Sequence, residues 1–199
     1  MTHPVLTTER LVMRPLTSEH LELEVQLDLD ADVMAHVGGP AGSRADVERS
    51  HARRMELASW ADGLGFWMTF TRTDPTGPTV PRPGAFIGLM MLPPAHGPDQ
   101  PDEPGVADLG YRLARSAWGN GYGRDAAVRL LEHAFTTVGL DRVIAQTRSD
   151  NVRSRRLLES IGMEYVRTFR SLDDHSDGPL DVEYDMHRSD HVTRPPKPR

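Results

Sequence analysis

Residues Trp118–Asp125 read WGNGYGRD, with glycines at 119, 121 and 123. The stretch lies between two patterned segments. Before it, Ala107–Leu113 (ADLGYRL) alternates like a strand. After it, Gly121–Val138 carries Ala126, Ala127, Leu130, Leu131, Ala134 and Phe135 at i, i+3 and i+4, the stripe of an amphipathic helix. Glycine admits positive φ and lets a ligand approach the backbone closely. A helix start offers unpaired N–H groups and the positive end of a dipole. A strand, a glycine turn and a helix N-terminus in that order suit a phosphate or pyrophosphate, and Arg124 adds a positive charge. The G-x-G-x-G spacing does not match the dinucleotide fingerprint G-x-G-x-x-G, and Arg124-Asp125 stand where a P-loop needs Lys-Ser/Thr. A tight turn without a ligand is the plain alternative.

Working outward, Arg10–Leu16, Phe66–Thr73, Ala85–Leu92, Val143–Thr147, Glu164–Arg170 and Val182–His187 read as strands. Ser18–Leu29 and Arg44–Leu57 read as helices, with Ser18 and Ser43 as caps. Asp150–Ser160 reads as a helix with Asp150 as its cap and Gly162 as its stop. Asp74–Gly84, Pro93–Gly105 and Thr193–Arg199 are rich in Pro and Gly and read as loops or an irregular end. The intervening segments are too short for separate cores. The expectation is one α/β (α+β) domain over residues 1–190, a mixed central sheet of six to seven strands flanked by helices, and a proline-rich tail over 191–199.

Composition narrows the chemistry. The 199 residues carry 23 Lys+Arg against 29 Asp+Glu, a net charge of −6, and no Cys. Disulfide frameworks, Cys-zinc sites and thiol nucleophiles are excluded. The acidic balance argues against direct nucleic-acid binding, which needs clustered Lys and Arg. No apolar run reaches membrane-spanning length, and the N-terminus lacks the pattern of a secretory signal, so a cytoplasmic protein is expected. No clustered ligand set points to a metal. His187-x-x-x-His191 has helical spacing but no further ligands. No G-x-S-x-G elbow is present.

The glycine stretch does not stand alone. Asp108-Leu109-Gly110-Tyr111 precedes it. Ala134-Phe135 ends its helix, and Asn151-x-x-Ser154-x-x-Leu157-Leu158-Glu159-Ser160-x-Gly162 follows. The chain opens with Thr8-Glu9-Arg10-Leu11-x-x-Arg14-Pro15-Leu16, and Asp32-x-Met34 comes next. In this order and spacing, over roughly residues 7–170, the motifs resemble the GNAT N-acetyltransferases, most closely their RimJ/RimL-like branch. The resemblance implies a V-shaped splay between the fourth and fifth strands and direct acetyl transfer from acetyl-CoA to an amine. Trp118 stands where the family usually has Gln or Arg, a feature of that branch. By similarity, the backbone of Trp118, Gly119, Asn120, Gly121, Tyr122, Gly123 and Arg124 would hold the CoA pyrophosphate. Tyr111, Arg112 and Leu113 would pair through their backbone with the pantetheine arm, and Asn151 would hydrogen-bond it.

Transfer needs a base for the ammonium and support for the departing thiolate. Asp108 is the candidate base, with Glu103 and Glu164 as alternatives. Many relatives carry a tyrosine seven residues after the asparagine; here that position is Leu158. Ser154, on the same helix face as Asn151, is the candidate hydrogen-bond donor to the thiolate and also counts among the cofactor-binding residues. The basic run Arg49–Arg54 could meet the CoA 3′-phosphate or an acidic substrate. Trp60, Phe66 and Trp67 are core or acceptor-groove wall. The acceptor, a protein N-terminus or a small molecule, is unassigned, and a homodimer stays open. A catalytically silent acyl-CoA-binding module and a nucleotide-binding protein are the competing functions.

Overall fold

The computed structural model describes residues 3–73, 83–172 and 177–193, leaving Val192's side chain aside. In chain order the elements are β1 (Leu6–Thr7), β2 (Leu11–Pro15), α1 (Leu21–Asp28), α2 (Ala31–Met34), α3 (Arg44–Ala58), β3 (Gly65–Thr71), β4 (Phe86–Leu92), β5 (Val106–Asp108), β6 (Gly110–Leu113), α4 (Tyr122–Glu132), β7 (Arg142–Arg148), α5 (Val152–Ser160), β8 (Glu164–Phe169), β9 (Asp181–His187) and α6 (Arg188–Thr193). A 3-10 turn at Ser18–His20 leads into α1, and a π turn at His133–Val138 ends α4. Most of the first breaker loop, residues 74–82, and residues 194–199 of the tail lie outside the described residues. Helix α6 carries regular structure to Thr193, three residues into the stretch read as tail. His191 stacks there on Phe135, ring centroids 5.1 Å apart.

The mixed sheet takes a divided form. One sheet has five strands in the order β1-β2-β3-β4-β6, the other four in the order β5-β7-β9-β8. The stretch 107–113, read as one strand, is two. Its first part pairs in parallel with β7 (Ala107↔Val143, Asp108↔Ile144). Its second part pairs antiparallel with β4 (Met90↔Tyr111, Leu89↔Arg112). The hand-over is at Leu109, whose N–H donates to Ile144 O at 2.8 Å, the last bond before the strands part. Beyond it, β6 and the end of β7 diverge, which is the expected splay.

Alternation along this stretch decides what faces where. Ala107, Leu109 and Tyr111 join the main core with Tyr122, Ala126, Leu130 and Leu158 on the α4–α5 side. Asp108, Gly110 and Arg112 therefore face the other side. There α1 and α3 pack on Phe66, Met68 and Leu89 through Leu27 and Leu57. Arg112 confirms the direction by pairing with Asp28 of α1 at 2.5 Å.

Two caps differ from expectation. Thr17, not Ser18, precedes the first turn, and its N–H donates to His20 Nδ1 at 3.0 Å. Asn151, not Asp150, caps α5 by accepting from Ser154 N at 3.2 Å. In both cases the hydrogen bonds that close the first turn start one residue away from the expected cap. Ser43 caps α3 as read.

Candidate functional site

The glycine turn is built and pinned. Gly119 and Gly121 have φ of 76° and 75°, left-handed values that other residues adopt at a cost, and Gly121 caps α4. A Cβ at Gly123 would meet Leu113 and Leu157 at 2.9 and 3.0 Å, so this position needs its lack of a side chain for packing. Arg10, from the opening motif, locks the turn from behind. Its guanidinium donates to Asn120 O (3.0 Å) and Asp125 (2.8 Å) and lies 4.6 Å from the Tyr122 ring centroid.

Residues expected at the cofactor site divide by what their side chains do. Trp118 donates its indole N–H to Leu113 O at 2.8 Å, closing the end of β6, and Arg153 lies 5.1 Å from its ring centroid. Asn120 donates to Trp118 O. The Tyr122 ring is fully buried, so only its backbone can face a ligand. Arg112 turns away into a buried ionic cluster with Asp28, Glu24, Arg54 and His51. The side chains of Trp118, Tyr122 and Arg112 are thus structural. Asn151 spends its amide on Ser154 N and on Thr147 Oγ1 (3.2 Å). The basic run is split as well: His51 and Arg54 belong to the buried cluster, and Arg49 and Arg53 are exposed.

Asp108 ends β5 at the point of divergence. Its Oδ2 accepts from Gln100 Nε2 at 2.8 Å. The same nitrogen lies 3.4 Å from Gln146 Oε1, and Gln146 donates to Glu183 at 2.9 Å. Glu183 is held in turn by Arg167 at 2.9 Å. Burial pushes the Asp108 carboxyl up to about 6; the Gln100 hydrogen bond opposes this and the Glu183 charge adds to it. A carboxyl with that value is largely ionised at neutral pH yet basic enough to take a proton. Glu103 and Glu164, the alternatives, are both exposed and lie outside this network.

In the neighbouring strand β6, on the opposite face, Tyr111 Oη lies 3.0 Å from Ser154 Oγ. Burial pushes the Tyr111 phenol up to about 12, so it keeps its proton. Leu158, at the expected tyrosine position, is core. The sequence reading missed the Tyr111 hydroxyl, having assigned that residue by its backbone. It also missed Gln100, Gln146, Glu183 and Arg167. The only signal for Glu183 was a charged residue between core-facing Val182 and Tyr184. Of the aromatic trio, Phe66 and Trp67 are core and Trp60 is exposed. Among the described residues no group of His, Asp and Glu could hold a metal, and no helix is long and apolar enough to cross a membrane.

Known proteins resemble this chain in sequence and fold. The family model for the acetyltransferase (GNAT) domain matches residues 10–164. FsC-acetyl coenzyme A-N(2)-transacetylase of Aspergillus fumigatus is 30% identical over 169 residues, 83% of this chain and 67% of that one. An uncharacterized N-acetyltransferase, p20 of Bacillus licheniformis, is 31% identical over 160 residues, 80% of this chain and 82% of that one. A crystal structure of an acetyltransferase from Agrobacterium tumefaciens superposes with a TM-score of 0.71 at 26% identity, covering 94% of this chain and 96% of its own. Spermidine N-acetyltransferase from Vibrio cholerae, solved with CoA and spermine, shares the fold at a TM-score of 0.71 and 15% identity, covering 93% of this chain and 99% of its own.

Proposed function

Because the chain belongs to the GNAT acetyltransferase family, we propose that it moves an acetyl group from acetyl-CoA directly to a primary amine of a protein N-terminus or small molecule. Trp118 and the opening Thr8–Leu16 motif favour the RimJ/RimL-like branch. The reading places the protein in the cytoplasm, where acetyl-CoA is available.

The observation that carries it is the pair of strands at the splay. β5 presents a carboxyl poised near pH 6, β6 a hydroxyl pair on the opposite face, and a glycine turn opens a helix a few residues further on. Backbone N–H groups from Gly119 to Arg124 and the dipole of α4 would hold the pyrophosphate. Free backbone groups of β6, on the edge from which β7 departs, would pair with the pantetheine amides. Leu113 offers only its N–H in that pairing, since its carbonyl serves Trp118.

Asp108 takes a proton from the incoming ammonium, directly or through water. The neutral nitrogen attacks the thioester carbonyl, the C–N bond forms, the C–S bond breaks, and the second proton that the nitrogen sheds ends on the departing sulfur. Ser154, itself hydrogen-bonded to Tyr111, donates to the thiolate as it leaves. A free thiol has a pKa near about 8.5, so this support is enough without full proton transfer at that instant. Glu183 and Arg167 position the network around Asp108.

Calorimetry with acetyl-CoA, followed by thiol release on adding primary amines, tests the reading. Micromolar binding and amine-dependent thiol release are expected. Absence of both refutes it.

A further inference from the structure

The outward half of the basic run lines a groove that the transfer chemistry does not use. Arg49, Arg53, Glu56 and Leu57 from α3, with Trp60 and His96, line an open surface groove of about 510 Å³. Trp60 is 51% exposed, and its ring centroid lies 4.8 Å from that of His96. An exposed indole braced by a second ring is a surface awaiting a partner rather than a core residue. Arg49 pairs with Asp46. Arg53 has no hydrogen bond or ion pair among the described residues, and Glu56 is the lone carboxylate against two guanidinium groups.

One side chain links the groove wall to Asp108. The His96 and Gly97 amides both donate to Gln100 Oε1, at 3.2 and 3.0 Å, and the other end of that side chain donates to Asp108. One glutamine therefore spans the distance from groove wall to carboxyl.

We propose that this groove is the acceptor site and that it selects an amine whose body carries an anionic group, a carboxylate above all. The proposal rests on the transfer reading above. The ammonium lies toward Asp108 and Glu183, the apolar stem crosses Trp60, and the anionic end meets Arg53 and Arg49. A polyamine sets its further positive charges against the two arginines and is disfavoured. In this respect the chain differs from its structural neighbour named for spermidine.

Three probes of one length separate the possibilities: 6-aminohexanoate, its carboxamide and 1,6-diaminohexane, with spermidine added. Calorimetry on the CoA-loaded full chain reads binding, and thiol release from acetyl-CoA reads kcat/KM. The carboxylate is expected to exceed the carboxamide by about tenfold and the diamine by more. Arg53→Ala and Arg49→Ala, both on exposed side chains, bring carboxylate and carboxamide close to parity. Preference for the diamine or spermidine, no binding by any probe, or an undiminished carboxylate preference in Arg53→Ala overturns the proposal. An inactive protein that still prefers the carboxylate in binding refutes the transfer reading and retains the groove. An active protein indifferent to the end group refutes the groove alone.

Discussion

Replacing Asp108 by Asn separates catalysis from stability, because the same burial that makes the carboxyl a base makes its charge costly. Its pKa rises from the ordinary 3.8 to about 6. Between those values the folded protein holds a proton that the unfolded chain has released. Stability therefore falls as pH rises from about 4 to 6, and the loss is complete above that. The full difference corresponds to about 3 kcal/mol. The side chain keeps a partly exposed edge, and the amide brings an N–H₂ in need of an acceptor, so a net effect of about 1–2 kcal/mol is expected. The amide oxygen of the Asp108→Asn variant would still accept from Gln100, preserving the local geometry. Urea unfolding of both proteins on either side of the transition, at about pH 4 and about pH 8, measures the effect. The variant should gain on the parent by that amount between the two conditions, while its kcat/KM at the alkaline end drops about 10²- to 10⁴-fold. The parent's kcat/KM should fall on the acid side with a midpoint near 6. A variant that keeps the parent's turnover removes Asp108 from the mechanism. A stability difference that does not change with pH refutes the assigned electrostatics.

Gln100→Leu removes the one hydrogen bond that favours the ionised carboxylate, so the acid limb of the kcat/KM profile should move to higher pH; an unmoved limb contradicts the role given to Gln100. Tyr111→Phe and Ser154→Ala should each lower kcat with little change in the acetyl-CoA KM, and the double variant should cost less than the two combined, since the hydroxyls act as a pair; purely additive losses argue against that. Gly121→Val forces a β-branched residue to a φ of 75° at the cap of α4 and should weaken CoA binding by about tenfold or more in calorimetry. Arg54→Ala leaves Glu24 and Asp28 buried without their shared partner and should lower the unfolding free energy by about 3–5 kcal/mol in urea.

What the sequence disclosed followed from local rules. The helix after the glycine turn was legible because its apolar spacing is long and regular. The turn itself was legible because three glycines can be read without knowing their neighbours. The division of 107–113 between two sheets was hidden, since Leu109 alternates as any strand residue does and only the partners of its two halves reveal the break. The candidate base could be named from its motif. Its environment could not be read, because Gln100 sits in a proline-rich loop with no pattern, and Gln146 and Glu183 come from strands far apart in the chain. The splitting of the basic run into a buried and an exposed half depended on where α1 lands, which charge pattern alone does not specify.

Leu158 bears on whether the protein catalyses at all. Read alone, its place at a position where many relatives carry tyrosine argues for a silent acyl-CoA binder. Packing gives it another sense. Leu158 is core, 1% exposed, and sits with Leu130 and Ile161 between α5 and the sheet. A phenol there would need either a buried partner or a different tilt of the helix. A hydroxyl does approach that helix from the strand. Tyr111 reaches Ser154 one turn earlier on the same helix, and in the proposed mechanism this pair is the donor. A binder under no demand to turn over has no use for a carboxyl held near 6, since keeping it buried costs stability at neutral pH. A carboxyl and a phenol held at one splay fit the proposed transfer to an amine.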